Sequence, residues 1–539
     1  MNMWENLKSV SSLKMLVFLV FPAIFLLFAL PFNRTHFGND PEYAYLMNGI
    51  NIGMLKSVGH TDHPGTTVQI YSAVVLRCAY LAQPDKREGF QKYMLRNADR
   101  YIELERKGLI VLNSIVLLLL GIISWILLRN VWLSLLLQIM PFTSANLTEH
   151  VFTKVSPEPV LLLATTAMAL LIIRFYLRHK ADKEKFAIYF ALACGFGIAT
   201  KATFLPLIII PLLLLSDKKL RKQFLFLIIP SFILFTLPAI PQYPHMAKWF
   251  LGLSAHTGIY GNGSFGVINP RHYFTDLANL CLNNPVLSFT LMAVVLILIS
   301  TLVKSSFLSE FKNNLTFRIL TALSAAQFVG VLMVAKHYLA NHYLVPELCL
   351  LAITWIFIYL YLSERLPVRL RKAFSTMPVI LVLIASGLAI MNGKYLQKAD
   401  QGYILSNQDY EKMTTLLADD YKGYTCTYYY PTSINPYSAL RWGNVYSRFQ
   451  HTKAIKEIYP YGYFFNTRTN NFSLWETSIA TSTMIKIARG KLLIIGGPFE
   501  ESERLKIIES GLKLTKVYEG YTQIIYMVNV TGEYGIESN

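Results

Sequence analysis

Two short clusters near the N-terminus hold the side chains best suited to chemistry. The first is Gly38-Asn39-Asp40-Pro41-Glu42-Tyr43 and the second is His60-Thr61-Asp62-His63-Pro64-Gly65-Thr66. A carboxylate held beside a hydroxyl or amine can take its proton, and cationic or hydrogen-bonding groups nearby can hold an anion. Pro and Gly beside the ionisable groups fix tight turns. Asp40, Glu42, Asp62 and His63 are therefore candidates for a functional role. A solvated polar loop carries the same residue types, so the meaning of the clusters depends on where the chain places them.

Other ionisable groups lie in or beside apolar runs. Lys201 interrupts one, Glu158 opens another within Ser156-Pro157-Glu158-Pro159, and His337 and His342-Tyr343 stand near the ends of two more. An ammonium between two apolar half-spans is unfavourable unless paired, and such residues are functional candidates by default. A lysine snorkelling from a helix end is the plainer alternative. For His337 and His342 it is a polar cap at the interface.

The elements that position these residues follow from hydropathy. The chain has 539 residues, 53% hydrophobic and 15% charged, against about 25% charged in soluble proteins. Between Met15 and Gly393 uncharged stretches recur, each near the ~20 residues that cross a bilayer. They are 15–31, 108–128, 131–148, 157–173, 223–243, 285–303, 319–335, 343–362 and 373–392, with a longer run at 186–215 broken by Lys201. The net charge is +18, and residues 394–539 carry 16 basic against 14 acidic side chains. The excess therefore belongs to the loops between apolar stretches, which argues against nucleic acid and for an anionic membrane surface.

Cytoplasmic loops collect Lys and Arg. The basic clusters Arg174–Lys185, Lys218–Lys222 and Arg365–Lys372 all fall on one side only if 186–215 is two short spans meeting near Lys201 and 65–82 does not cross. That parity gives about eleven transmembrane helices, the N-terminus inside and the C-terminus outside. Residues 32–107 become the first outer loop, with 65–82 a juxtamembrane helix. The expected organisation is a membrane domain over 1–393 and an extracytoplasmic α/β domain over 394–539. In the latter, Asn407–Tyr421 has helical spacing, Thr425–Tyr430 and Lys491–Ile495 read as strands, Glu500–Ser510 is amphipathic, and Leu512–Glu519 with Thr522–Val530 reads as a hairpin. The five cysteines suggest neither a disulfide framework nor a zinc site. His256–Asn269 has four glycines between apolar segments and fits either a mobile lid or a plain connector.

An Asp-x-Glu-Tyr cluster after the first span, then His-Pro-Gly-Thr opening a juxtamembrane helix, resembles the GT-C superfamily of membrane glycosyltransferases. The branch it resembles is the protein O-mannosyltransferase and lipid A aminoarabinose transferase group. Ser156–Pro159, Gly195–Pro206 and His342–Pro346 extend the resemblance in order along the chain. Pro41 separates Asp40 from Glu42, and Gly65 replaces the second proline of the group's His- or Lys-Pro-Pro motif. The resemblance implies a polytopic α-helical membrane protein of GT-C-like fold. It implies a polyprenyl-phosphate-linked sugar as donor, a lipid, glycan or protein as acceptor, and inversion at the sugar. It gives Asp40 the base role and Glu158 acceptor or metal positioning. His63, Lys201, His342 and Tyr343 would then surround the lipid phosphate. Members differ in their need for a divalent metal ion, so a metal is left open. The implied location is a bacterial inner membrane, with the site and C-terminal domain facing outward. A transporter or flippase using the same groups for binding is the alternative, and paired broken helices would favour it.

Overall fold

The computed structural model describes residues 15–32, 34, 37, 41–62, 64–84, 88–145, 147–149, 154–304, 307–337, 341–430, 434–466, 471–497 and 512–529. Asp40, His63 and the amphipathic segment 500–510 lie outside the described residues. The chain divides into two compact units. One comprises Met1–Pro31, Thr61–Val68 and Arg106–Leu396; the other comprises Phe32–His60, Gln69–Glu105 and Gln397–Asn539. The first outer loop is therefore shared between them.

The first unit is an integral, multi-pass helical bundle. Among the described residues six helices are long and apolar enough to cross a membrane: Ala98–Leu128, Pro157–Arg178, Pro285–Val303, Leu315–Lys336, Asn341–Arg365 and Val368–Asp419. Lys218–Phe235 and Leu237–Ala255 form a further apolar pair bent by 92°. Val17–Ala29, Val131–Thr143 and Ala202–Leu214 are shorter apolar helices. Each of the eleven expected segments thus has a helical counterpart, but not all are unbroken spans. Thr66–Leu81 is also a helix and is too short and polar to count among them. Glycines let the bundle pack closely: a Cβ on Gly195 would come within 2.5 Å of Ser231, and one on Gly197 would meet the Phe204 ring at 2.4 Å.

In the second unit seven strands form one sheet. They are β1 (Thr425–Tyr430), β2 (Tyr463–Asn466), β3 (Asn471–Leu474), β4 (Thr477–Ile479), β5 (Leu492–Gly496), β6 (Lys513–Glu519) and β7 (Ile524–Asn529), in the order β4-β3-β2-β1-β5-β7-β6. β1 pairs parallel with β2 and β5, and the outer strands are antiparallel. β5 is buried at every position, as a central strand covered on both faces should be. The α/β expectation and the terminal hairpin hold.

Helix Glu42–Gly53 is built into this unit. A Cβ on Gly443, in helix Pro436–Tyr446, would come within 2.6 Å of the Tyr43 carbonyl. Asn48 donates to the Tyr446 carbonyl at 3.3 Å and accepts from the Gly59 N–H at 2.6 Å. His451 is fully buried, with Nε2 3.0 Å from the Met47 carbonyl and Nδ1 2.8 Å from Gln91 Nε2. That pairing fixes Nε2–H as donor and Nδ1 as acceptor. Burial pushes its pKa down to about 4; the Met47 carbonyl opposes this and Lys56 adds to it. The unfolded chain then binds the proton first. Stability is complete above the ordinary histidine pKa of about 6.5 and falls as pH drops through the window to about 4, by roughly 3 kcal/mol. Thermal unfolding followed from about pH 7 to about pH 4 should show this loss, and His451→Gln should flatten it.

Candidate active site

The site forms where an apolar helix breaks. Helix Lys183–Thr200 ends, Lys201 adopts an extended conformation (φ −158°, ψ 140°), and a 3-10 segment restarts at Ala202. A break at membrane depth needs partners for its backbone groups. The expected His-Pro-Gly-Thr turn supplies them. Pro64 pairs with Lys201 as an antiparallel bridge, Gly65 donates to the Thr200 carbonyl at 3.2 Å, and the Thr67 and Thr200 hydroxyls lie 2.8 Å apart. Gly65 has φ +67°, a left-handed conformation that glycine adopts without strain.

Lys201 and Glu158 are each 3% exposed, and the Lys201 ammonium donates to Glu158 Oε1. Glu158 sits in the first turn of helix Pro157–Arg178, where the helix dipole favours an anion. On its other side the Lys201 ammonium lies 4.1 Å from the centroid of the Tyr343 ring, a cation–π contact. Tyr343 belongs to the 3-10 turn Asn341–Leu344, has its ring 4.4 Å from that of His342 in a tilted arrangement, and meets the Tyr260 hydroxyl at 2.7 Å through its own.

Lys201, Tyr343 and Tyr260 open on a cavity of about 210 Å³ with apolar walls that include Leu205, Trp249, Phe250 and Val334. Its polar lining includes Lys201, Tyr260, Tyr343 and Lys336. Lys336 donates to the carbonyls of Leu253 and Ser254, both at 2.8 Å. Two of its three donors are thus used, and among the described residues no carboxylate pairs with it. The Lys201–Glu158 pair is neutral as a unit, so Lys336 makes the cavity positive. Sequence reading missed Lys336 and Tyr260.

The expected site residues separate into groups. Glu158, Lys201, His342 and Tyr343 come together with the Pro64-Gly65 turn. Asp62 lies instead 3.6 Å from His245 Nε2, on the second arm of the bent pair. Glu42, buried at the start of its helix, belongs to the other compact unit. His337 closes helix Leu315–His337, and its side chain lies outside the described residues, as do Asp40 and His63. Glu347 is fully buried, and a Cβ on Gly330 would come within 1.9 Å of its carboxylate, so glycine there makes room for it. No three His, Cys, Asp or Glu side chains lie together among the described residues. A cation at Glu158 would have to displace the Lys201 ammonium.

No protein-family model matches the chain, and no curated protein matches it. Two solved structures are similar to it over nearly its whole length. The crystal structure of ArnT from Cupriavidus metallidurans bound to undecaprenyl phosphate aligns with 98% of this chain and 99% of its own, at 11% identity and a TM-score of 0.46. The apo structure of the same protein aligns with 94% and 97%, at 10% identity and a TM-score of 0.49.

Proposed function

We propose that the chain is a glycosyltransferase. It moves a sugar from a polyprenyl-phosphate-linked donor to a lipid, glycan or protein acceptor on the outer face of a bacterial inner membrane. The single observation that carries this reading is the cavity at the break between helices Lys183–Thr200 and Ala202–Leu214. There two lysines and two tyrosyl hydroxyls meet apolar walls. A lipid phosphate needs that combination: cationic donors for the headgroup and apolar surface beside them for the tail.

In the proposed reaction the acceptor oxygen or nitrogen attacks the anomeric carbon. The bond from that carbon to the phosphate oxygen breaks, and polyprenyl phosphate leaves with the electron pair. The acceptor's proton passes to Asp40. Attack opposite the leaving group inverts the anomeric centre. Lys336 and Lys201 stabilise the charge that grows on the phosphate, and Glu158 holds Lys201 while limiting the cavity's net charge. Sequence order and the Pro64–Lys201 bridge support placing His63 beside the same phosphate.

The test is transfer by the purified, full-length chain from polyprenyl-phosphate-linked sugars, read as release of polyprenyl phosphate. Movement of intact donor across vesicles without release would favour a flippase and sink the reading. Lys336→Met should weaken undecaprenyl phosphate binding about tenfold to a hundredfold, as expected for one charge-assisted hydrogen bond, and should lower the melting temperature modestly through loss of its bonds to the Leu253 and Ser254 carbonyls. Unaltered affinity would remove Lys336 from the headgroup site.

A further inference from the structure

We propose that the loop Thr257–Ile268 is a membrane-inserted finger, with Phe265, Val267 and Ile268 set into the bilayer at the boundary between headgroups and acyl chains. Hydropathy places this loop between apolar segments and outside the membrane, where a surface loop is ordinarily polar. Yet residues 256–269 contain no Asp, Glu, Lys or Arg. Phe265 is 83% exposed and Val267 72%. Apolar side chains held outward on an uncharged, structured loop require an apolar environment.

The loop is ordered. Thr257 donates to the Ser264 carbonyl at 3.0 Å, Gly263 to the Thr257 carbonyl at 2.7 Å, and Gly266 to the Ala255 carbonyl at 2.8 Å. His256 and Phe265 form an antiparallel bridge. Gly258 and Gly261 have positive φ, and a Cβ on Gly261 would come within 2.8 Å of the Gly252 carbonyl. The exposure of Phe265 is therefore set by the backbone.

The flanks identify bilayer lipid as the occupant. The apolar surface continues through Leu251 before the loop and Phe274 after it, both exposed, and helix Pro270–Asn283 leads into the span at Pro285. Lys248 and Arg271 are exposed on either side of the uncharged stretch, where long cationic side chains reach headgroups. Trp249 adds the aromatic type enriched at membrane interfaces. Insertion would also hold Tyr260, on the same loop, against Tyr343.

The test uses the full-length chain in phosphatidylcholine vesicles with p-benzoylphenylalanine in place of Phe265 or, separately, Val267. Photolysis followed by peptide mass spectrometry reads what each position touches. The same probe at Phe226, exposed on an apolar helix, sets the reference. Phospholipid adducts at 265 or 267 should form within about threefold of that reference yield. Adducts to a second copy of the chain, or lipid yields at both positions below about a tenth of the reference, would overturn the proposal. Neither outcome depends on the transfer reaction.

Discussion

Lys201→Met should lower the stability of the first unit by about 3–5 kcal/mol, because it removes the ammonium that faces the buried Glu158 carboxylate. Glu158→Gln should do comparable harm by stranding the ammonium. Both groups are 3% exposed, so water cannot replace the lost partner, and only in Glu158→Gln does the cation–π contact between Lys201 and Tyr343 remain to offset part of the loss, by about 2 kcal/mol. The double variant Lys201→Met/Glu158→Leu removes both charges together and should recover most of the stability, since buried pairs exchange for apolar residues at little net change. Transfer should not recover, because the phosphate loses one of its cations. Thermal unfolding in detergent gives the first comparison, and polyprenyl phosphate release gives the second. Restored stability with restored transfer would make the pair purely structural. A double variant as unstable as either single one would mean that the pair is not what holds the break together.

The parts of this site visible in the sequence are those that violate a strong local rule. Lys201 stands inside an apolar run and Glu158 opens one, and each departure is costly enough to be noticed alone. Their pairing was not visible, since 43 positions separate them and only packing brings the two helices together. Lys336 was missed for the opposite reason. At the end of span Leu315–Lys336 it looks like any snorkelling lysine, and its partners are backbone carbonyls more than 80 positions earlier, which leave no pattern in side-chain type. Tyr260 sits in a glycine-rich loop shaped by backbone hydrogen bonds, and its side-chain partner, Tyr343, lies 83 positions later.

The same logic sorts the fold. β1, β5 and the β6–β7 hairpin are long or apolar enough to read directly, whereas β2, β3 and β4 have four, four and three residues and fall below what alternation can signal. Residues 373–392 and 407–421 read as two helices because the segment between them is polar. They form one helix, Met377–Asp419, since no proline lies between Pro378 and Pro431 to end it. Polarity changed what surrounds that helix without changing its backbone. The first outer loop reads as an appendage of the membrane domain, yet most of it packs with the sheet domain. Contacts such as Gly443 against the Tyr43 carbonyl have no signature in either segment alone.

The largest effect on rate belongs to Asp40. Asp40→Asn keeps the size and polarity of the side chain but cannot accept the acceptor's proton, so kcat should fall about 10²- to 10⁴-fold, the range for losing a general base. The Michaelis constant for the lipid donor should move little, because the proposed phosphate contacts come from Lys336 and Lys201. Two readouts separate a base from a structural carboxylate. The acidic limb of the wild-type pH–rate profile should vanish in Asp40→Asn, and an acceptor with a more acidic nucleophile should recover part of the lost rate, because less proton removal is then needed. Glu42→Gln is the control. Glu42 is buried in the helix that packs on Pro436–Tyr446, so its loss should lower stability and leave the pH profile with its acidic limb. If Glu42→Gln flattens the profile and Asp40→Asn does not, the base is Glu42, and Pro41 separates the two carboxylates to aim the second one. If neither change slows transfer, the acceptor's proton leaves by a route in which this acidic cluster has no part.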